Sequence, residues 1–206
     1  MMKLTIPERA EMYNVNWGKR FPRSRLNITP TGDGYCIDGM WMLGKDYRKA
    51  NPFYGAYPGN YLARVMTMFP DAEGVMHLFS GSLPKGDYTR VDTLNGEREV
   101  NADAHELGQV FDPGEFDLIL ADPPYSAEDA AKYGTPMIRR KVVLQECAAV
   151  LQPGGFLVWL DVEVPQWRKV DFRCVGMIGL ITSAGHRGRF VSILERVARE
   201  SEDKDD

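Results

Sequence analysis

The sequence predicts an α/β fold built on one mixed, largely parallel sheet. Three observations carry that expectation. Val75–Phe79, Phe116–Ala121 and Phe156–Leu160 are apolar runs of strand length that read as buried strands. Segments with helical spacing lie between them: Leu62, Val65, Met66 and Phe69 mark one face of a helix over 60–69, and 137–151 is a second amphipathic helix. The last apolar segments, 172–181 and 189–194, flank Ala184-Gly185-His186-Arg187-Gly188 and are expected to pair as an antiparallel hairpin at the C-terminal edge.

In chain order, residues 1–52 read as an irregular N-terminal extension. Within it Lys19, Arg20, Arg23 and Arg25 surround an aromatic residue, a basic cluster suited to a phosphate-contacting arm or to a solvated loop. Farther on, Asp38-Gly39 between apolar flanks predicts a two-residue hairpin turn within Tyr35–Met42. The main domain is assigned to 53–196. Pro58-Gly59 introduces its first helix and Pro70-Asp71 ends it. Val75–Phe79 then runs into Ser80-Gly81-Ser82. Two weaker strands follow, Tyr88–Asp92 and Arg98–Asp103, each ending in an acid. Gln152-Pro153-Gly154-Gly155 closes the second helix. The tail from Arg199 to Asp206 has no apolar residue and is expected to be disordered. Together these elements describe a mixed Rossmann-like sheet.

One feature of the spacing is unusual. Eight residues, Ser80–Asp87, separate the first two strands, and five, Thr93–Glu97, the next two. Parallel neighbours normally need a crossover of about a dozen residues or more. The helices of this half are therefore expected to be missing or reduced to a turn. Asn95-Gly96 even allows an antiparallel hairpin.

Composition narrows the function classes. A chain of 206 residues suits one domain with a modest appendage. No apolar run approaches a bilayer span, and the first residues do not resemble a signal peptide, so a membrane role is not expected. Cys36, Cys147 and Cys174 form no Cys-x-x-Cys pair, which points to reduced thiols in the cytoplasm and away from a structural metal. A net charge of -4 does not mark a nucleic-acid binder, yet it permits a local basic patch.

The chemistry concentrates at Asp122-Pro123-Pro124-Tyr125, where the apolar run 116–121 stops. Proline lacks a backbone donor and fixes φ, so the strand ends there and Asp122 sits at its carboxyl end. Open α/β sheets keep their ligand crevices at that edge. One carboxylate, two proline carbonyls and a phenol ring thus converge. Such acceptors suit an exocyclic amine on a nucleobase, whose lone pair is delocalised into the ring. Accepting its N–H bonds draws the nitrogen toward tetrahedral geometry, and bonds to a carboxylate are the stronger class. Tyr125 can stack on the base.

The tetrad after an apolar strand resembles the catalytic motif of S-adenosylmethionine-dependent methyltransferases that act on exocyclic amines, chiefly the DNA adenine N6 enzymes. His77-Leu78-Phe79-Ser80-Gly81 resembles that family's first cofactor motif. Asp92 stands where the family places an acid for the ribose hydroxyls, and Asp103-Ala104 where an acid meets the adenine. Tyr57 and Pro58 resemble the segment walling the methionine end. The resemblance implies an S-adenosylmethionine-dependent methyltransferase sheet, a nucleic-acid partner with DNA favoured over RNA, a compact phage- or prophage-like type, and no metal. His77 and Leu83 depart from the family, which carries an acid and a second glycine there. RNA or cytosine N4 are alternative acceptors, and a non-catalytic module binding nucleic acid or a partner is the alternative class. Arg187 and Arg189, at the hairpin tip, are candidates for phosphate contact or a solvated tip.

Overall fold

In the computed structural model, which describes residues 3–43, 57–93, 100–183 and 187–198, nine strands form one sheet. They are β1 (Leu26–Thr31), β2 (Gly34–Met42), β3 (Val75–Leu78), β4 (Thr89–Asp92), β5 (Val100–Asn101), β6 (Phe116–Ala121), β7 (Leu151–Asp161), β8 (Phe172–Ile181) and β9 (Arg189–Arg196). Their order across the sheet is β1-β2-β8-β9-β7-β6-β3-β4-β5. β5, β4, β3, β6 and β7 run parallel, and β9 inserts antiparallel between β7 and β8. The chain leaves β3 toward β4 on one side and later returns as β6 on the other. β3 and β6 therefore flank a topological switch point, the crevice position of a Rossmann-like sheet.

Burial follows the sequence pattern. Every residue of β3 is buried, as are five of the six in β6, so both strands are covered on both faces. Helix α1 (Ile6–Tyr13) and helix α2 (Tyr61–Met68) cover one face with Leu118, Leu120, Val158 and Ile178. Helix α4 (Arg140–Val150) covers the other with Ile119, Leu157 and Trp159, while the short α3 (Ala127–Lys132) follows the end of β6. Among the described residues no helix is long and apolar enough to cross a membrane.

The connection from β3 to β4 contains no helix, and both β3–β4 and β4–β5 are parallel. The shortened first half is thus present, and the antiparallel alternative at Asn95-Gly96 is overturned by the β4–β5 register, although that dipeptide itself lies outside the described residues. The Ala184–His186 turn and the tail from Arg199 lie outside them too. The hairpin arms β8 and β9 pair as expected, but inside the sheet rather than at its edge, because β2 and β1 continue it beyond β8.

Three expectations are corrected. Residues 1–52 are not irregular where described. α1 starts with a capping box, in which the Thr5 side chain accepts from Glu8 N–H and Glu8 accepts from Thr5 N–H. β1 and β2 then extend the main sheet, with β2 parallel to β8. The hairpin turn falls at Gly32-Asp33, and Asp38-Gly39 sits inside β2 opposite Asn27 and Leu26. Asp38 accepts from the Asn27 amide at 2.8 Å. Gly39 is needed there for close approach, since a Cβ would lie 2.9 Å from Leu26 Cδ2 and 3.0 Å from the Arg25 carbonyl oxygen. Finally, α2 buries Tyr61, Arg64, Val65 and Met68, a face rotated from the apolar one read in the sequence. Arg64 explains the rotation. Its guanidinium lies over Trp17, Phe21 and Trp41 at 5.0–5.8 Å and donates to the Tyr13 hydroxyl at 2.7 Å. Arg9 anchors α1 in a similar way, with a bidentate bond to Asp71 at 2.6 and 2.8 Å between the rings of Phe69 and Phe156.

Gly39→Ala should destabilise the fold by about 1–3 kcal/mol, the usual cost of forcing a methyl group into a packed position. Urea denaturation checks this, and an unchanged midpoint would contradict the close approach of β1 and β2.

Candidate active site

β6 delivers Asp122 one residue past its end, where Pro123 is buried and stops the ladder. Ser126 then caps α3, accepting from Asp129 N–H at 3.2 Å, so the tetrad is held between a strand end and a helix start. Arg140 supports it from behind. Its guanidinium donates to both oxygens of the fully buried Asp161, at 2.7 and 3.3 Å, and to the Tyr125 carbonyl at 3.4 Å. Asp161 also accepts from the Trp159 indole and from Val162 N–H. A buried charge held by this many donors keeps its place.

A cavity of about 740 Å³ opens at the carboxyl ends of β3, β4, β5 and β6. One part is walled by Phe79, Gly81, Ser82, Asp92, Thr93, Asp103, Ala104 and Ile138. The other is walled by Asp122, Pro123, Pro124, Tyr125, Tyr133, Arg187 and Arg189. The two halves share one space.

The first half is built by a reversal after β3. Phe79 has φ of 59° and Gly81 of 51°. A bulky residue in the left-handed region is uncommon, and such backbone persists where the surroundings enforce it. The reversal turns the Gly81 N–H onto Asp92 Oδ2 at 2.8 Å. Asp103 accepts at Oδ1 from His105, through both its backbone N–H at 2.9 Å and its ring at 2.6 Å. Burial works to raise its carboxyl, but these bonds, with the nearby charges of His105 and Arg139, together outweigh it and hold the group below the usual range.

The second half is self-contacting. The Tyr125 hydroxyl donates to Asp122 Oδ1 at 2.6 Å. Arg189 lies over the Tyr125 ring, 5.1 Å from its centroid. Arg187 reaches Asp129 at 3.6 Å. Burial pushes the Asp122 carboxyl up to about 7, reinforced by Asp161 and opposed by the Tyr125 hydrogen bond and Arg189. Tyr125 is pushed well above its ordinary range by burial and by the Asp122 charge.

The structure thus gathers Phe79, Gly81, Asp92, Asp103, Ala104, Asp122, Pro123, Pro124, Tyr125, Arg187 and Arg189 around one cavity. It does not bring the other candidates there. His77 alternates to the far face of β3, where its ring meets Tyr57 and Tyr88, and burial pushes it down to about 4, so it is neutral. Tyr57 sits beneath the end of β6, its hydroxyl 3.4 Å from the Leu120 carbonyl oxygen and 3.3 Å from His77 Nδ1. Pro58, Leu78 and Ser80 do not line the cavity either. Leu78 packs in the core and Ser80 is buried in the reversal. Lys19, Arg20, Arg23 and Arg25 are exposed beside β1. Because β1 is antiparallel to β2, and β2 is parallel to β8, this cluster lies on the same edge of the sheet as the cavity, five strands from β6. At ~4.8 Å per strand that is about 24 Å away.

Sequence reading missed His105, Tyr133, Ile138 and Arg140. The Asp-Ala-His spacing at 103–105 was the visible signal for His105. Nothing local marks Arg140, since its partner Asp161 lies twenty-one residues away.

No protein-family model matches the chain, and no curated protein does. Several solved structures resemble it remotely. TrmN from Thermus thermophilus is 19% identical with a TM-score of 0.43, over 66% of this chain and 48% of that one. The 1,6-didemethyltoxoflavin-N1-methyltransferase of Burkholderia thailandensis, solved with 1,6-didemethyltoxoflavin and S-adenosylhomocysteine, is 12% identical with a TM-score of 0.44, over 66% of this chain and 76% of that one. A methyltransferase homolog from Pyrococcus horikoshii is 13% identical with a TM-score of 0.42, over 95% and 84%. This chain spans about half the length of TrmN. At such distances the likenesses carry no functional weight.

Asp122→Asn should raise the melting temperature at pH 8 by at least roughly 3 °C, the shift that about 1 kcal/mol gives a chain of this size. A carboxyl raised to about 7 in the folded state stabilises below pH 4 and loses that contribution as pH rises through 7. The gain should therefore vanish below pH 4. Thermal melts of both proteins across that range test it, and a gain independent of pH would exclude the desolvated carboxyl.

Proposed function

We propose that this chain is an S-adenosylmethionine-dependent methyltransferase acting on an exocyclic amine of a nucleobase, with adenine N6 in DNA as the favoured acceptor. The observation that carries the reading is the single cavity in which Asp122-Pro123-Pro124-Tyr125 faces Gly81, Asp92 and Asp103. Its size is in the range of ligand sites. The first half fits S-adenosylmethionine by chemistry. Asp92 and Asp103 are acceptors for ribose hydroxyls and an adenine amine, Phe79, Ala104 and Ile138 offer apolar walls, and the Gly81 reversal lets the backbone come close.

When bound, that cofactor supplies an electrophilic methyl group on a positive sulfur. The protein's part is to make the amine a nucleophile and place it. Asp122 and the Pro123 carbonyl accept the two amine N–H bonds, turning the nitrogen lone pair toward the methyl carbon. Tyr125 releases Asp122 and offers its ring to the base. Once the amine has taken up that methyl group, it would lose one proton through its Asp122 bond. A carboxyl near 7 is suited to receive it at neutral pH.

Two features favour a polynucleotide acceptor. Arg187 and Arg189 stand at the cavity. The Lys19–Arg25 cluster shares its edge at about 24 Å, which spans about seven steps of a nucleic-acid strand. Their charges suit phosphates, and the overall charge of -4 then leaves binding to this edge.

Calorimetric titration with S-adenosylmethionine should give saturable binding. Labelled transfer to unmethylated DNA should exceed transfer to RNA, and nucleoside mass spectrometry should find N6-methyladenine; N4-methylcytosine or methylated RNA would move the acceptor instead. Asp122→Ala should lower transfer at least about a hundredfold, as loss of one preorganised partner of a developing charge does elsewhere, while leaving cofactor affinity nearly intact. The wild-type rate should rise with pH through about 7, because the ionised carboxylate is the working form. A rate that stays flat from pH 6 to 8 would count against that role.

A further inference from the structure

Next to Asp103 lies a histidine that the reaction scheme above leaves unused. His105 is mostly buried, with 15% of its side chain exposed, and it lines the same cavity. Its Nε2 accepts the backbone N–H of Arg139 at 2.9 Å. A backbone N–H can only donate, so Nε2 carries no proton and Nδ1 must carry one. That Nδ1–H points at Asp103 Oδ1, 2.6 Å away. The His105 backbone N–H reaches the same oxygen. Oδ1 is thus held twice, and the rotation of the carboxylate is fixed. The Asp103 side chain is still 54% exposed toward the cavity. The same ring ties Asp103 to a second stretch of the cavity lining, because Arg139 directly follows the lining residue Ile138.

We propose that His105 is a positioning residue that fixes Asp103, so that its Oδ2 reads the exocyclic amine of the cofactor's adenine. The proposal rests on the methyltransferase reading and adds to it the residue that sets cofactor selectivity. The ring does two separable jobs. Its Nδ1–H orients Asp103, and its Nε2 ties the 136–139 wall in place. The two conservative replacements separate them by geometry. Asparagine puts an amide N–H where Nδ1 stands and leaves Arg139 without its acceptor. Glutamine puts an acceptor near Nε2 and leaves Asp103 without its ring donor.

The test is binding of S-adenosylhomocysteine against its analogue with unsubstituted purine in place of adenine, by calorimetry on the full chain. The wild type should prefer the adenine compound by roughly tenfold to a hundredfold, the value of a hydrogen bond to a charged acceptor. His105→Asn should weaken both ligands while keeping that ratio. His105→Gln and His105→Ala should bring the ratio to within about threefold of unity. Melting curves confirm that each variant is folded, and His105→Ala serves if the glutamine variant is not. A ratio unchanged in both variants lacking the Nδ1 donor, or a wild-type ratio near one, would overturn the proposal while the methyltransferase reading stands. Failure of the wild type to bind either compound would instead overturn that reading and this one with it.

Discussion

Parallel pairing puts the carboxyl ends of several strands along one edge, and every part of the candidate site hangs from that constraint. β4, β5, β6 and β7 each bring an aspartate to this edge: Asp92, Asp103, Asp122 and Asp161. Carboxylates gathered along one edge repel one another unless each is answered. Asp161 is answered by the Arg140 guanidinium, Asp103 by His105, and Asp92 by the Gly81 N–H among its bonds. Asp122 has a phenol hydroxyl and a guanidinium stacked one ring away. Burial makes its charge costly to hold and raises the carboxyl to about 7.

The same constraint explains the frugal first half. Where helices usually cover a parallel sheet, β3 and β4 are covered by neighbours already needed elsewhere. Tyr57 and Tyr88 close over His77 on one face, and Leu107 and Ala104 pack with Met76 and Val91 on the other. The connection from β3 to β4 can then shrink to the Phe79–Gly81 reversal and a loop, because it no longer has to carry a helix. The reversal also serves the site, aiming a backbone N–H at the acid that ends the next strand.

What the sequence made legible was what depends on near neighbours. The run 116–121 with its proline stop, the buried β3 and the C-terminal hairpin all follow from local pattern. So does the tetrad's place at a strand end. What it hid depends on partners far along the chain. Asp38-Gly39 has the local chemistry of a turn, yet Thr31-Gly32-Asp33-Gly34 supplies the turn, and Gly39 serves a close approach to Leu26. Arg64 scored as a polar position, although aromatic rings from residues 13–41 make a place for it in the core. His77 fell within a motif-like string, but strand alternation turns it away from the cavity. His105 gains its meaning from a backbone N–H thirty-four residues on.

The self-contact of Tyr125, Asp122 and Arg189 bears on how such a site can be both stable and receptive. Without a ligand, Asp122 would be a desolvated carboxylate with no donor, and the Tyr125 ring an apolar face open to water. Each instead satisfies another: the phenol donates to the carboxylate, and the guanidinium covers the ring. A nucleobase acceptor, as proposed above, would offer like for like. Its amine N–H replaces the phenol O–H as donor to Asp122, an exchange of one hydrogen bond for another. Its aromatic face replaces the guanidinium on Tyr125. A cation–π contact contributes about 0.5–2 kcal/mol, against roughly 1–3 kcal/mol for base–aromatic stacking. The exchange is therefore close to balanced and leans toward the base. Arg189, once displaced, keeps its charge at the rim, where a phosphate following the base would meet it. The resting contacts act as placeholders whose energies match what they give way to, so the site can stay ordered without resisting its substrate.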